Sequence, residues 1–296
     1  MIQRGVIAPI LTPFDNDGSV AMDLYLEHAQ RLFRQGCAAI APFGTTGEAL
    51  SVGIDERIAA ITALIDAGID PERMIAGTGL NNIADTARLS RACLDLGCAA
   101  VMTLPPFYFK AVTEEGLYEY FTRLLAAIGA DARIYLYHIP PIAVVGIPPS
   151  LVRRLHTDYP SQIVGIKDSS GNWENTTALL GIEGLVVYPG SELPLLDALA
   201  LGAPGCVSAT ANTNAAAIAR VIELFDQGDL AGAQLEHGAV RQFRETVERF
   251  APIPAQKRLL ALATGDERWA NVRPPLIAMP EEAGHELAAR LPPLTL

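Results

Sequence analysis

Gln35-Gly36-Cys37-Ala38-Ala39-Ile40 and Leu96-Gly97-Cys98-Ala99-Ala100-Val101 are two copies of one sequence pattern. In each copy a helical segment ends at a glycine, small residues follow, and an apolar strand begins. Leu201-Gly202-Ala203-Pro204-Gly205-Cys206-Val207 gives a third version of the pattern. A helix-to-strand junction that recurs along one chain is typical of βα units with parallel strands.

Eight short apolar runs each have the length of one strand, and segments of helical period lie between them. No glycine-rich dinucleotide-binding sequence follows the first run, so the pattern favours an α/β fold of the (β/α)8 barrel type over a doubly wound sheet. Beyond about Ala215 only helices are expected. We therefore predict a barrel in residues 1–225 and a C-terminal helical extension in residues 226–296. The predicted strands are residues 6–11, 38–43, 74–77, 99–104, 133–137, 163–167, 185–188 and 205–209, and the predicted late helices are residues 215–225, 230–250, 255–263 and 281–291.

The composition excludes several classes of partner. A formal net charge of -11 argues against binding to nucleic acid or to an anionic membrane. The four cysteines form no C-x-x-C pair and are interpreted as small core residues, and the histidines have no metal-ligand spacing, so neither a disulfide framework nor a metal site is expected. Asp15-Asn16-Asp17-Gly18 is interpreted as a turn. Without a signal sequence or a membrane-spanning run, the expected location is the cytoplasm.

Lys167 is the first candidate for chemistry. It ends the apolar run Gln162-Ile163-Val164-Gly165-Ile166-Lys167 and precedes Asp168. An ammonium group held against Ile and Val loses solvation, so that more of the neutral amine becomes available to attack a carbonyl. The alternative is a structural lysine paired with Asp168 or Glu174.

Two other segments follow predicted strands, where barrel enzymes place their reactive side chains. In Gly44-Thr45-Thr46-Gly47-Glu48, hydroxyl and N–H groups at the start of a helix could hold a carboxylate, although an ordinary capped turn has the same composition. In Tyr135-Leu136-Tyr137-His138, the Tyr137 phenol could transfer a proton or simply fill the barrel. The loop from Pro105 to Lys110 could line the site, reach a neighbouring subunit, or pack over the barrel mouth.

Taken together, these segments resemble the dihydrodipicolinate synthase and N-acetylneuraminate lyase superfamily of pyruvate-dependent class I aldolases. The resemblance covers nearly the whole chain. It rests on the ordered segments Ala8–Phe14, Gly44–Glu48, Pro106–Tyr108, Tyr137–Pro140, Gly165–Ser170 and Gly190–Glu192.

The resemblance implies a Schiff base between Lys167 and the keto carbon of pyruvate or another 2-keto acid, with no cofactor beyond this covalent imine and no metal. Tyr137 would relay protons, and Thr45 would link it to Tyr108 of the adjacent subunit in a homodimer or homotetramer. The substrate-binding residues implied by the resemblance are Thr45, Thr46, Gly47, His138, Gly190, Glu192 and Val207.

Three departures concern the second substrate. The Gly-x-Asp-Glu that the neuraminate lyases carry after the seventh strand appears only partially, as Gly190-Ser191-Glu192-Leu193. The synthases carry an arginine where this chain has Ile142, which cannot form a charge-assisted pair, and His138 stands where they have asparagine. We therefore expect a lyase acting on pyruvate or a 2-keto-3-deoxy sugar acid, by reversible C–C cleavage or dehydration. The alternatives are 4-hydroxy-tetrahydrodipicolinate synthase with a substituted anchor, a non-catalytic 2-keto-acid-binding protein, and a metal-dependent class II aldolase, which no cluster of histidines and carboxylates supports.

Overall fold

The structure is a computed structural model that describes residues 4–295. These residues form eight strands, which are β1 (Gly5–Ala8), β2 (Cys37–Ile40), β3 (Ile75–Gly77), β4 (Ala100–Thr103), β5 (Ile134–His138), β6 (Ile163–Asp168), β7 (Val186–Pro189) and β8 (Gly205–Val207). The α-helices in the same range are α1 (Met22–Arg34), α2 (Ile54–Asp66), α3 (Ile83–Asp95), α4 (Glu114–Ile128), α5 (Pro140–Ala143), α6 (Pro149–Asp158), α7 (Trp173–Leu180), α8 (Leu195–Ala200), α9 (Ala211–Asp226), α10 (Leu230–Val247), α11 (Pro252–Thr264) and α12 (Glu281–Ala288).

The chain divides into two compact units. We call Asp70–Val207 the lysine unit, because it contains Lys167. We call Gly5–Ile69 together with Ser208–Leu296 the loop unit, because it contains the glycine-threonine loop of residues 44–48.

In the lysine unit, β3 to β7 form one five-stranded sheet in chain order, and every adjacent pair is parallel. Every residue of β4 and β5 is buried, as expected for parallel strands that are covered on both faces. Because the strands run in the same direction, their carboxyl ends lie at one edge of the sheet. That edge carries Tyr137, Lys167 and Gly190.

In the loop unit, β1 pairs with β2 in parallel, and the buried amide of Asn212 fixes the segment that follows β1. Its Oδ1 accepts hydrogen bonds from the Leu11 N–H at 2.9 Å and from His28 Nε2 at 2.8 Å. Its Nδ2 donates to the carbonyls of Pro9 at 3.0 Å and Ala209 at 2.8 Å. Burial lowers the pKa of His28 well below its ordinary value, so the neutral ring donates this bond.

The glycines of the repeated pattern end helices as predicted. Gly36, Gly97 and Gly202 have φ values of 92°, 92° and 94°. Residues that carry a Cβ disfavour such positive values, whereas glycine adopts them readily. Each one follows directly after the residue that caps α1, α3 or α8. The repeated sequence is therefore a repeated helix-terminating turn.

The element bounds differ from the predictions in ways that proline and local geometry explain. β1 ends at Ala8 rather than residue 11, because Pro9 has no N–H for a strand ladder. α11 begins at Pro252, since the first turn of a helix tolerates proline. α9 starts at Ala211, but Asn214 is non-helical at φ -146°, so the regular helix begins near the predicted residue 215.

The C-terminal helices α10, α11 and α12 share a small apolar core within the loop unit. It contains Phe243, Val247, Ala255, Leu259, Met279 and Leu287. The predicted boundary of the extension at residue 226 stays a prediction.

Other expectations concern side chains and turns. All four cysteines are buried, as predicted. Asp15 and Gly18 close a turn in which the Gly18 N–H donates to the Asp15 carbonyl at 2.9 Å. In the part of the chain that the structure describes, no helix is long and apolar enough to cross a membrane.

Candidate active site

Lys167 and Tyr137 face each other at the carboxyl ends of two adjacent parallel strands. They are register partners on β6 and β5, and both are buried, with 5% and 4% of their surfaces exposed. Lys167 Nζ donates to the Tyr137 hydroxyl at 3.1 Å and lies 4.2 Å from the centroid of its ring. The structure therefore pairs this lysine with a phenol hydroxyl and not with a carboxylate.

Gly165, two residues before Lys167 on β6, makes room for the aromatic ring of Tyr135. A Cβ at Gly165 would lie 2.4 Å from Tyr135 Cε1 and 2.4 Å from the Val186 carbonyl oxygen. The Tyr135 ring also packs against the ring of Tyr188, with 5.8 Å between the two centroids. Tyr188 is the register partner of Lys167 on β7. Burial raises the pKa of Tyr135 to about 12, and a hydrogen bond with Tyr188 opposes that shift.

The Asp168 carboxylate forms hydrogen bonds with residues that follow it in the chain, and not with its neighbour Lys167. Its carboxylate accepts from the Ser170 N–H at 3.0 Å and from the Thr176 hydroxyl at 2.6 Å. Glu174, the other carboxylate considered as a partner, is exposed on α7. The structural-lysine interpretation therefore finds no support in the contacts of these two carboxylates.

His138 ends β5 and organises the loop that follows. Its Nδ1 accepts from the Ile147 N–H at 2.8 Å, and a Cβ at Gly146 would lie 2.9 Å from its Cε1. Burial lowers the pKa of His138, while the Asp168 carboxylate raises it. In the same loop, Ile142 and Val144 are 62% and 60% exposed.

The other predicted substrate residues of the lysine unit lie at strand ends and are closely packed. Gly190 follows β7, and a Cβ there would lie 1.9 Å from Ser169 Oγ and 2.9 Å from Ser169 Cα. Its N–H donates to the Asp168 carbonyl at 2.7 Å. Glu192 lies between β7 and α8 and Val207 ends β8, and both are fully buried.

Tyr108 stands out from the loop after β4, with 73% of its surface exposed. Its N–H and that of Phe107 both donate to Asn81 Oδ1 at 2.9 Å, which fixes the backbone of the loop. The ring of Tyr108 packs edge-on against that of Phe109, which is 72% exposed. Asn81 was not identified from the sequence, because its neighbours in the sequence give no sign of a hydrogen bond to a residue 27 positions away.

The glycine-threonine loop of the loop unit is a tight double turn. The Glu48 N–H donates to the Thr45 carbonyl at 3.1 Å, and the Ala49 N–H donates to the Gly44 carbonyl at 3.3 Å. Thr46 is buried, whereas Thr45 is partly exposed. The loop follows β2, as the sequence predicted for a strand-end site.

Close packing holds this loop in its shape against backbone strain. A Cβ at Gly47 would lie 2.9 Å from the Ile10 carbonyl oxygen, and the Gly47 carbonyl accepts from the Thr12 hydroxyl at 2.8 Å. Phe43, which precedes the loop, and Glu48, its last residue, have left-handed φ values of 55° and 54°. Such residues each cost of order 1–3 kcal/mol and occur where the surroundings force them.

Those surroundings include a buried ion pair that the sequence analysis missed. The Glu48 carboxylate binds Lys257 Nζ and accepts from the Arg273 N–H at 3.0 Å. The side chains of Glu48 and Lys257 are both fully buried. A lysine inside an amphipathic helix gives no sequence signal for a partner that lies 209 residues away.

A metal-binding cluster was not expected, and residues 4–295 contain no group of three or more His, Cys, Asp or Glu side chains that could hold a metal ion. The polar side chain that contacts Lys167 Nζ is the Tyr137 phenol.

Comparison with known proteins gives consistent matches over nearly the full length. The model described as the dihydrodipicolinate synthetase family matches residues 3–293. An uncharacterized DapA-like lyase of Chloroflexus aurantiacus is 36% identical, over 94% of this chain and 93% of its own. The 4-hydroxy-tetrahydrodipicolinate synthase of Methanothrix thermoacetophila is 32% identical, over 95% and 98% of the two chains.

The structure is also similar to solved structures of this kind. The crystal structure of dihydrodipicolinate synthase from Agrobacterium tumefaciens matches with a TM-score of 0.88 at 34% identity, covering 97% of this chain and 98% of its own. This likeness confirms the predicted fold class, a (β/α)8 barrel with C-terminal helices.

Proposed function

Because the chain belongs to the dihydrodipicolinate synthetase family, whose members are lyases and aldolases, we propose that it acts through a Schiff base between Lys167 and the keto carbon of pyruvate or a 2-keto-3-deoxy sugar acid. The observation that carries this proposal is the buried contact of Lys167 Nζ with the Tyr137 hydroxyl at 3.1 Å. A hydroxyl group, unlike a carboxylate, does not bind the lysine in a salt bridge, so the amine is accessible as a nucleophile. The chain is accordingly assigned as an enzyme, a class I lyase.

The other lysines are poor candidates for this role. The chain contains three lysines in all. Lys110 is exposed, and its ammonium group donates to the backbone carbonyls of Phe107 and Ala143. Lys257 is fully buried and bound to a carboxylate. Lys167 is the lysine that combines burial near a strand end with a hydroxyl partner.

The proposed chemistry needs no external cofactor. The neutral Lys167 amine adds to the keto carbon, the oxygen takes up a proton, and loss of water forms the imine. The protonated imine at carbon 2 then accepts the electron pair released when the bond between carbons 3 and 4 breaks, as the hydroxyl on carbon 4 loses its proton and becomes an aldehyde. In a dehydration it accepts instead the pair released when a proton leaves carbon 3, ahead of loss of the hydroxyl from carbon 4. Tyr137 is placed to hand protons to and from the departing oxygen, because its hydroxyl already contacts the attacking nitrogen.

The carboxylate of the keto acid is assigned to Thr45, Thr46 and the backbone of Gly47. Two hydroxyl groups and the N–H groups of a tight turn are suitable donors for an anion. The negative charge of Glu48 is neutralised by Lys257, so the loop itself does not repel a carboxylate. In a chain with a net charge of -11, an anionic substrate needs such a local device.

Four further residues are proposed to contact the substrate beyond its carboxylate: His138, Gly190, Glu192 and Val207. Gly190 and Val207 would act through their backbone, since neither has a polar side chain. Support comes from their positions at the ends of β5, β7 and β8, where barrel enzymes bind their ligands.

Tyr108 is proposed to complete the proton relay of a second copy of the chain, in a homodimer or homotetramer. Its support is an exposed aromatic pair on a backbone that Asn81 holds in place. Exposed aromatic side chains on a fixed loop are typical of interaction surfaces.

A second candidate function is 4-hydroxy-tetrahydrodipicolinate synthase, because a relative 32% identical to this chain carries that name. This function condenses pyruvate with aspartate semialdehyde and needs a cation for the second carboxylate. Ile142 occupies the position where the resemblance implies an arginine, and it is apolar and 62% exposed. That difference favours a cleavage or dehydration substrate.

The first test is borohydride trapping with pyruvate, followed by intact mass and peptide mapping. We expect one reduced adduct per chain, located on Lys167, and no adduct in Lys167→Ala. Lys110→Ala is the matched control, and it should trap pyruvate as the wild type does. An adduct that maps to another lysine, or none at all, would refute the Lys167 imine.

The second test separates the candidate reactions by turnover. We expect release of pyruvate or water from 2-keto-3-deoxy sugar acids, and little product from pyruvate with aspartate semialdehyde. Efficient condensation with the semialdehyde would favour the synthase. Trapping without turnover of any substrate would favour a binding protein.

A further inference from the structure

The glycine-threonine loop is connected to the C-terminal helices by one buried side chain. Glu48 closes the loop in a left-handed conformation and extends its carboxylate to Lys257 of α11. The other carboxylate oxygen accepts from the Arg273 N–H at 3.0 Å. Both partners belong to the segment after residue 250, and all three residues lie within the loop unit.

Further contacts hold the partners of Glu48 in place. Lys257 Nζ also donates to the Asn271 carbonyl at 2.7 Å, and Asn271 Nδ2 donates to the Phe14 carbonyl at 2.9 Å. The Lys257 and Arg273 cations lie 4.3 Å and 4.5 Å from the centroid of the Phe14 ring. The carboxylate is therefore bound by an ordered cluster.

Arg273 also ties this cluster to the segments on both sides of the loop. Its guanidinium donates to the Gly18 carbonyl at 3.0 Å and to the Ser51 carbonyl at 2.8 Å. It also forms an ion pair with Glu56 of α2. Residue 273 is thus fixed independently of Glu48, and its N–H can act as a rigid donor.

A buried ion pair is a poor way to gain stability alone, because both charges lose their hydration. Burial lowers the pKa of Lys257 to about 8, and the Glu48 carboxylate opposes that shift. The desolvation is therefore substantial. What the ion pair supplies is geometry, because it fixes where a left-handed residue next to Thr45, Thr46 and Gly47 must lie.

We propose that Lys257 and Arg273 are positioning residues for the keto-acid carboxylate, acting through Glu48 to hold the glycine-threonine loop in its binding shape. The C-terminal helices thereby take part in substrate binding without touching the substrate. This inference rests on the proposed function, in which Thr45 and Thr46 bind the carboxylate.

The test compares Lys257→Met with Arg258→Met, its neighbour on α11. Arg258 is also a largely buried cation, bound to Glu267 at 2.7 Å and to the Met279 carbonyl at 3.0 Å, but these contacts lead away from the loop. For Lys257→Met we expect the pyruvate concentration that half-saturates borohydride trapping to rise about tenfold, with the trapping rate at saturation reduced less than about threefold. Arg258→Met should stay within about twofold of the wild type in both quantities.

A double variant separates positioning from stability. Lys257→Met alone leaves the Glu48 charge buried and unpaired, which lowers the melting temperature. Glu48→Gln combined with Lys257→Met removes both charges, so we expect the melting temperature to recover while half-saturation stays raised. If Lys257→Met does not fold, the half-saturation of the double variant still tests the proposal.

The outcomes distinguish this inference from the function on which it rests. Normal half-saturation in the folded double variant, with wild-type trapping on Lys167 intact, would overturn the inference alone. If the wild type forms no pyruvate adduct on Lys167, the proposed function fails and the inference fails with it. A raised half-saturation in Arg258→Met equal to that of Lys257→Met would show a general loss of helix packing and would also overturn it.

Discussion

Tyr137→Phe is the substitution that isolates the proposed proton relay. It removes one oxygen, which lies 3.1 Å from Lys167 Nζ, and keeps the ring whose centroid is 4.2 Å from that nitrogen. The packing of β5 against β6 should therefore persist. The change in the free energy of unfolding should be about 1 kcal/mol, the usual net contribution of one hydrogen bond.

The effect on catalysis should be much larger than the effect on stability. A positioned general acid or base contributes typically 10²- to 10⁴-fold in rate. We therefore expect imine formation in Tyr137→Phe to slow by about 10²-fold or more, which corresponds to about 2.7 kcal/mol in the activation free energy. The assay is rapid mixing with pyruvate, followed by borohydride quenching at successive times and quantification of the adduct by mass spectrometry.

Tyr135→Phe is the matched control, because it removes a phenol from the same strand two residues earlier. The Tyr135 hydroxyl bonds with Tyr188, and the Tyr135 ring packs against the Tyr188 ring. Its imine formation should remain within about threefold of the wild type, far less than general acid–base catalysis contributes. Equal rates in Tyr137→Phe and Tyr135→Phe would refute the relay and make Tyr137 a packing residue.

Other predictions concern stability. Gly165→Ala would place a Cβ 2.4 Å from the Val186 carbonyl, so its melting temperature, followed by circular dichroism, should fall by several degrees, and an unchanged value would contradict the close packing. Asn212→Ala strands buried backbone donors and acceptors, each costing about 1–3 kcal/mol, so urea denaturation should show a loss of about 3 kcal/mol or more. The His138 pKa is lowered by burial. The unfolded chain therefore binds more protons just below pH 6.5, and stability should fall as pH falls through this window. His28, whose pKa burial also lowers, contributes to the same loss. His138→Gln should therefore make the drop in urea midpoint between pH 7.0 and 5.5 shallower without abolishing it; an equally steep drop would assign it to other groups.

The strand and helix pattern was readable because it is local. Gly36 and Gly97 end helices through their own backbone conformation, so the sequence at the junction carries the information. The strand-end position of Lys167 follows in the same way, from the apolar run before it and the polar turn after it. The strand ends were less exact, because proline removes ladder donors at positions that hydrophobicity alone marks as strand.

The residues that hold the site in shape were less readable. Gly165 could have been suspected, since glycine within a strand often marks a close approach of a ring or backbone. Asn81, Lys257 and Asn212 could not, because their partners lie far along the chain. The sequence on either side of each of these residues is like that around many other polar residues on helices and loops.

The sequence by itself determined the parallel α/β architecture and the order of its elements, and it determined that a lysine lies near the carboxyl end of the sixth strand. These properties depend on apolar periodicity and turn residues over short stretches. Only the tertiary structure decided that Lys167 contacts a phenol rather than a carboxylate, and that Glu48 is bound by Lys257 across 209 residues. Such contacts depend on strand register and on how the helices pack, and both arise from the folded chain as a whole.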